Sequence, residues 1–316
     1  MEDYLIFRQR NPPEAAILPF FQQGFFFNNA EHLCQQSRQP LCVISVLNRT
    51  TQRAVARCAF FVKDNRAISP AGAPFGSLEF SQTLPDTVLG RLIDALIDEA
   101  QSLSVSTLRL VNYPNCYAPE EARRLTAQLL QREFRVAASD QNFFLPVTDD
   151  SFETFIHASE RRRLRKCRQA GFQWQHWCCP DLDAVMSFLV QTHQQRGYKL
   201  TLPPNRLRSL IQTFPNQFLI FTVRDNVTIA ALTVAIRVRT DILYNFLPAS
   251  NPIYDIYSPM VFLTEGVFSY CQQHQIQLLD LGVSLDGNHQ PKPSLMRFKR
   301  NLGAHESPKI VFEKSL

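Results

Sequence analysis

At 316 residues the chain exceeds one ordinary domain, and two domains of about 150 residues each is the division its length suggests. Hydrophobic residues make up 45% and charged residues 19%, which excludes a disordered chain, and no apolar run approaches the ~18 residues of a membrane-spanning helix. The net charge of +5 is uneven: residues 1–150 hold 14 Lys+Arg against 16 Asp+Glu, a net of −2, and residues 151–316 hold 19 against 12, a net of +7. The second half is the expected anion binder.

Met1-Glu2-Asp3 opens without the basic and apolar regions of a secretory signal. The eight cysteines form no C-x-x-C pair and no zinc spacing with the seven histidines. Both features predict a cytoplasmic protein with reduced thiols, no metal site and no disulfide framework; Cys178-Cys179 is expected to be a pair of small buried hydrophobes rather than a reactive dithiol.

In the first ~30 residues Pro12-Pro13 breaks any helix, and Gly24-Phe25-Phe26-Phe27 reads as core packing. Leu41–Leu47 and Ala54–Val62 predict a hairpin across a turn carrying Asn48 and Thr50. Ser69–Gly76 is the most Gly/Pro-dense stretch of this half, suited either to a substrate loop or to a plain connection. A helix over 86–101, a strand over 107–111, a helix over 119–132 and a strand over 142–147 follow, with a linker expected at 147–151.

The second half opens on a dense run of cations, six within Glu160–Arg168. Arg161, Arg165 and Arg168, at i, i+4 and i+7, make one basic ridge with Gly171 as the helix stop. A solvated helix end is one reading; an anion-binding ridge that includes Lys166 is the other, since like charges at this spacing repel unless something compensates them. Helices over 182–196 and 206–213 precede strands over 218–223, 228–238 and 241–247, an antiparallel meander. Ser258 as N-cap and Pro259 at the first helical position predict a helix that ends among Gln272, Gln273 and Gln275. Leu278–Gly282 then predicts a buried strand carrying one carboxylate, Asp280, and Ser294–Leu302 a helix stopped by Gly303. On that helix Leu295, Phe298 and Leu302 share a face and Lys299 lies roughly 60° from its centre, while Arg297 and Arg300 point away. The order helix, strand, helix, strand of the first half thus recurs, and a structural duplication is expected.

Leu279-Asp280-Leu281-Gly282 followed by Leu295–Ala304 (LMRFKRNLGA) resembles the C-terminal signature of FemABX-like transferases, tandem relatives of the GNAT acyltransferase fold, in which a D-x-G strand end precedes a helix of the form F-K-x-x-F-G. This chain has Leu302 where the family usually has Phe. The segment Arg161–Gly171 likewise resembles the one that opens the second domain of such proteins. The resemblance implies a mixed α/β fold, α+β in type, of two tandem GNAT-like domains, 1–150 and 151–316, the second carrying the site. It also implies a function: transfer of an aminoacyl or acyl group from an activated ester or thioester to an amine. Lys299 and Asp280 are the implied catalytic residues, and Arg161, Arg165, Lys166, Tyr244 and Phe298 the implied substrate-binding ones. The acceptor would be a small-molecule or peptidoglycan-precursor-like amine.

No cofactor is expected to be tightly bound, and the donor is expected to be aminoacyl-tRNA or acyl-CoA. Simple GNAT acetyltransferases hold acetyl-CoA by a Q/R-x-x-G-x-G/A loop whose bare amides bind pyrophosphate. Pro248–Pro259, the corresponding stretch, has no glycine and three prolines, which favours the aminoacyl donor or an acyl-CoA held differently. Two alternatives stay open: an acyl-CoA-dependent N-acyltransferase of a sugar or small amine, and a non-catalytic nucleotide- or RNA-binding protein.

Overall fold

The computed structural model describes residues 3–197, 199–287 and 290–316. Met1 and Glu2, on which the N-terminal reading partly rests, lie outside them. The chain divides into two compact units, residues 1–141 with 307–316, and residues 142–306.

In the first unit, β1 (Tyr4–Arg10), α1 (Ala30–Gln36), β2 (Leu41–Asn48), β3 (Arg53–Lys63), β4 (Arg66–Ser69), β5 (Glu79–Phe80), α2 (Asp86–Ser102), β6 (Thr107–Val111) and α3 (Pro119–Leu130) follow in order. β7 (Arg135–Pro146) begins here and enters the second unit at Asn142. β1 to β4 pair antiparallel in sequence order, and β6 joins β4 in parallel after the crossover helix α2. α2 lays Leu89, Leu92, Ile93 and Leu96 at helical spacing on the sheet, all fully buried, and this stripe forms the core with Ile44, Phe60 and Leu110.

The second unit continues with α4 (Phe152–Phe155), α5 (Ala158–Gln169), β8 (Gln173–His176), α6 (Leu182–Gln195), α7 (Pro204–Thr213), β9 (Phe218–Asp225), β10 (Thr228–Arg239), β11 (Ile242–Ser250), α8 (Pro259–Gln273) and β12 (Leu278–Val283), and then α9 (Pro293–Asn301) and β13 (His305–Ser315). β8 to β11 are antiparallel neighbours, and β12 joins β11 in parallel after α8. The topology of the first unit is repeated: an antiparallel meander, a crossover helix, then a strand parallel to the last of the meander.

Each unit is closed by a strand from a distant part of the sequence. β6 of the first unit is flanked by the end of the chain, Val311–Ser315 against Val111–Thr107, with Phe312 fully buried in the first core. β12 of the second unit is flanked by residues 142–146 of β7, with Phe143 and Leu145 in the second core. The division therefore falls at 141/142 and 306/307, where the sequence suggested 150/151 with the last ten residues in the second half. Residues 147–151 are a bend after β7, fastened by Gln272, whose side-chain amide donates to the Thr148 and Asp150 carbonyls.

Several local expectations need correction. Ser258 occupies the N-cap position with φ +55°, but its side chain caps no helix amide and instead donates to the Asp255 carbonyl at 3.4 Å. Of the two readings left open for Ser69–Gly76, the packing is that of a connection: Phe75 is buried among Phe25, Phe27, Tyr113 and Tyr117, and Gly76 N–H donates to the Val111 carbonyl. The Phe25–Phe27 run is indeed core. Cys178 and Cys179 are exposed, because they lie just past the polar edge strand β8, not within it.

Candidate active site

The parallel ladder of β11 and β12 is only three pairs long, Ile242–Leu278, Leu243–Leu279 and Tyr244–Asp280. Beyond it the two strands continue unpaired with each other, and each carries a register shift there: Phe246 is the extra residue of β11 against β10, and Leu281 that of β12 against β7. Bulges bend strands and redirect side chains. The splay opens a cavity of about 550 Å³ within the second unit, and Asn245, Phe246, Leu281, Gly282 and Val283 line it from the two strands. α9 closes one side with Leu295, Phe298, Lys299 and the adjacent Leu302, and α6 another with Thr192, His193 and the adjacent Arg196.

Asp280 sits at the point where the strands part and is 2% exposed. Its Oδ1 accepts from Asn142 Nδ2 at 2.8 Å and from Gly282 N–H at 2.7 Å. Gly282 has φ +73°, and a Cβ there would stand 3.0 Å from the Tyr244 ring, so backbone conformation and close approach both require glycine. Asp280 is therefore a positioning residue that shapes the bulge. Tyr244, its cross-strand partner, lines the cavity; burial pushes its phenol up from its ordinary value, and the Asp280 carboxylate pushes it the same way.

Lys299 is the most deeply buried residue of α9, while Arg297 and Arg300 are exposed as their helical positions require. Its Nζ donates to the Gly282 carbonyl at 2.9 Å and the Val283 carbonyl at 2.8 Å, and lies 5.5 Å from the centre of the Phe143 ring. Burial pushes the ammonium down to about 8, and the Asp280 carboxylate opposes that shift. An ammonium has three hydrogens and two are engaged, which leaves one for a group in the cavity. Phe298 lines the wall beside it.

The basic ridge behaves differently. Arg161 donates to the Glu153 carbonyl, and Arg168 pairs with the Glu153 and Glu265 carboxylates, so two of the three ridge cations are compensated from inside the protein. Lys166 donates to the Ile256 carbonyl at 2.7 Å, and Arg165 is exposed. None of Arg161, Arg165 and Lys166 lines the cavity; Arg163 does, held by the fully buried Glu160. The ridge points elsewhere because Leu164 and Cys167 are the buried positions of α5 and turn its other faces outward.

Sequence reasoning missed Arg163, His193, Arg196 and Lys292, all of which line the cavity. His193 Nδ1 lies 2.8 Å from the Leu189 carbonyl, which can only accept, so in the neutral ring this contact assigns the proton to Nδ1 and the lone pair to Nε2. Arg196 ties the wall together through Ser250 Oγ at 3.0 Å and Asp255 at 2.6 Å. Only the apolar pattern of α6 was legible, and nothing in it marks a polar residue that faces a cavity.

This splayed pair of parallel strands, with α8 as the crossover and α9 beside it, is a GNAT-type arrangement. Residues 157–300, all within the second unit, match the family model of the acetyltransferase (GNAT) domain. Among solved structures the chain is similar to a crystal structure of FemX, with TM-score 0.69 and 11% identity over 98% of this chain and 97% of that one. It is also similar to the C-terminal domain of a putative lysylphosphatidylglycerol synthetase from Agrobacterium fabrum (TM-score 0.59, 12% identity, 83% of this chain and 82% of that one). A third similar structure is a tandem GNAT protein from the clavulanic acid biosynthesis pathway (0.51, 14%, 87% and 82%). At such identities these likenesses establish the fold, two GNAT-like units in tandem. No curated protein matches the chain in sequence. No helix among the described residues is long and apolar enough to cross a membrane.

Proposed function

We propose that the second unit transfers an aminoacyl group from an ester donor, aminoacyl-tRNA, to an amine acceptor. The observation that supports this donor over acyl-CoA is the state of the backbone before α8. The N–H groups of Asn251, Tyr254, Asp255, Tyr257, Ser258 and Val261 already donate to carbonyls of the chain, Ile253 N–H donates to Asn251 Oδ1, and Pro252 and Pro259 have none. A pyrophosphate cradle needs several bare amides converging, and in this stretch all but those of Ile256 and Met260 are engaged or replaced by proline.

In the proposed reaction the acceptor amine attacks the ester carbonyl and a C–N bond forms as the C–O bond breaks. The remaining Lys299 hydrogen stabilises the oxyanion as it grows. His193 Nε2 takes the amine proton and returns it to the leaving oxygen. Tyr244, Phe298 and Arg163 contact the substrates; Arg161, Arg165 and Lys166 take no part inside the cavity. The acceptor class, a small-molecule or peptidoglycan-precursor-like amine, and the cytoplasmic setting that tRNA requires rest on the FemABX-like signature of Asp280–Gly282 and Phe298–Lys299.

Thermal denaturation with each donor tests the choice, since a ligand that binds the native state stabilises it in proportion to its excess. Aminoacyl-tRNA is expected to raise the melting temperature and coenzyme A to leave it unchanged. A rise with coenzyme A alone would assign the unit to acyl-CoA chemistry, and no rise with either would leave no support for a donor site.

A further inference from the structure

The three most exposed large apolar residues among the described residues are Val227, Ile253 and Ile256, at 86%, 77% and 67%. They lie in the second unit, at one end of its sheet. Val227 forms the tip of the β9–β10 turn, and the segment 251–257 leaves β11 beside it, joined by the Asn251 N–H to the Ala230 carbonyl at 2.9 Å. Isolated surface hydrophobes need no explanation, but three on two adjoining loop tips form a patch.

A basic face adjoins them. Lys166 Nζ donates to the Ile256 carbonyl and lies 5.1 Å from the Tyr257 ring centre, and Cys167 Sγ lies 3.1 Å from the Tyr257 carbonyl. Arg162, Arg165 and Lys166, at i, i+3 and i+4, share one face of α5 and are exposed. Arg162 and Arg165 have no ion-pair partner among the described residues. Two acidic groups belong to this end, Asp225 and Asp255, and Asp255 is paired with Arg196. The local excess is positive.

We infer that Val227, Ile253 and Ile256, flanked by the α5 cations, dock this unit on an anionic lipid bilayer. Apolar tips enter the headgroup boundary, and neighbouring cations hold the anionic surface. The segment 251–257 suits that depth because its turns satisfy most of their own amides, Tyr254 to Asn251 and Tyr257 to Tyr254 among them. Tyr254 and Tyr257, half-buried against Phe172, are amphipathic rings of the kind that lie at such a boundary. A nucleic acid backbone would use the cations but not the three apolar tips, which makes the bilayer the better fit. The segment also lends Asp255 and Ser258 to the cavity wall, so docking would bring the cavity mouth to the lipid surface.

The test is co-sedimentation of the full chain with phosphatidylcholine vesicles, with and without phosphatidylglycerol. Binding is expected only with the anionic lipid and is expected to weaken as salt is added. Val227→Ser/Ile253→Ser/Ile256→Ser should lower it about tenfold or more at every salt concentration. Arg162→Gln/Arg165→Gln should lower it by about fivefold per charge at low salt and approach the parent at high salt. Both variants should melt with the parent, since none of these side chains is buried. Equal binding by parent and variants, or no binding to anionic vesicles, overturns the inference. So does RNA binding lost only in the arginine variant without vesicle binding, or a dimer dissolved by the serine variant without it. None of these outcomes depends on the donor chemistry.

Discussion

Lys299 and Asp280 act on each other across the mouth of the β12 bulge, and their charges set a pH signature. Burial disfavours the Lys299 ammonium and holds it at about 8, while the Asp280 carboxylate supports it. If the ammonium is the active form, turnover falls as pH rises through about 8. Asp280→Asn keeps an oxygen for the Gly282 N–H but removes the charge, so the alkaline limb of kcat should move to lower pH; an unmoved limb would detach Asp280 from the lysine. The same depressed value acts on stability with a definite sign. Between about 8 and the ordinary lysine value the unfolded chain binds more protons than the native one, so stability rises with pH across that window.

At the scale of elements, α5 and α8 are joined by one charge-assisted contact, Arg168 to the nearly buried Glu265 at 2.5 Å. Burial pushes Glu265 up and Arg168 holds it down. Arg168→Met should cost about 2 kcal/mol, read from the denaturation midpoint, because it strands a carboxylate that is otherwise paired. The partial exposure of Arg168 keeps the figure below that of a fully buried pair. A neutral result would show that Glu265 takes up its proton at little cost.

Long periodic elements were legible in the sequence because burial repeats along them. α2, β6, α6, β10 and α8 lie within two residues of their expected bounds. β1, β4 and β8 were not foreseen. β1 ends in Arg-Gln-Arg, β4 has four residues, and β8 is a polar edge, Gln-Trp-Gln-His, so none shows a sustained period. Lys299 was legible for the opposite reason: it is a cation placed beside an apolar helix face. Arg163 and His193 were not, since what makes them cavity residues is the meeting of α5 and α6 with β11 and β12, and that meeting leaves no local pattern.

For the molecule as a whole, the closing strand that the first unit takes from the end of the sequence limits where the chain can be cut. A fragment of residues 1–150 contains every helix of the first unit but lacks Phe312 and the strand that closes β6. A buried phenylalanine is typically worth about 3–5 kcal/mol on truncation, a large part of a domain's margin of about 5–15 kcal/mol. The fragment should therefore unfold without a cooperative transition, and a peptide of residues 305–316 should restore one. Cooperative unfolding of the fragment alone would show that the closing strand is dispensable.

The most direct test of the account is single-turnover transfer from aminoacyl-tRNA to an amine acceptor by the parent, Lys299→Met and Arg300→Met. Lys299 faces the splayed strands through the Gly282 and Val283 carbonyls, whereas Arg300, on the same helix, is exposed and paired with Glu306 of β13. A stabiliser of the developing oxyanion acts in the transition state, so Lys299→Met should slow transfer by about 10²–10³ with little change in donor affinity, and Arg300→Met should match the parent. Equal rates for the two variants would contradict a catalytic role for Lys299 and leave the second unit with the fold but not this chemistry.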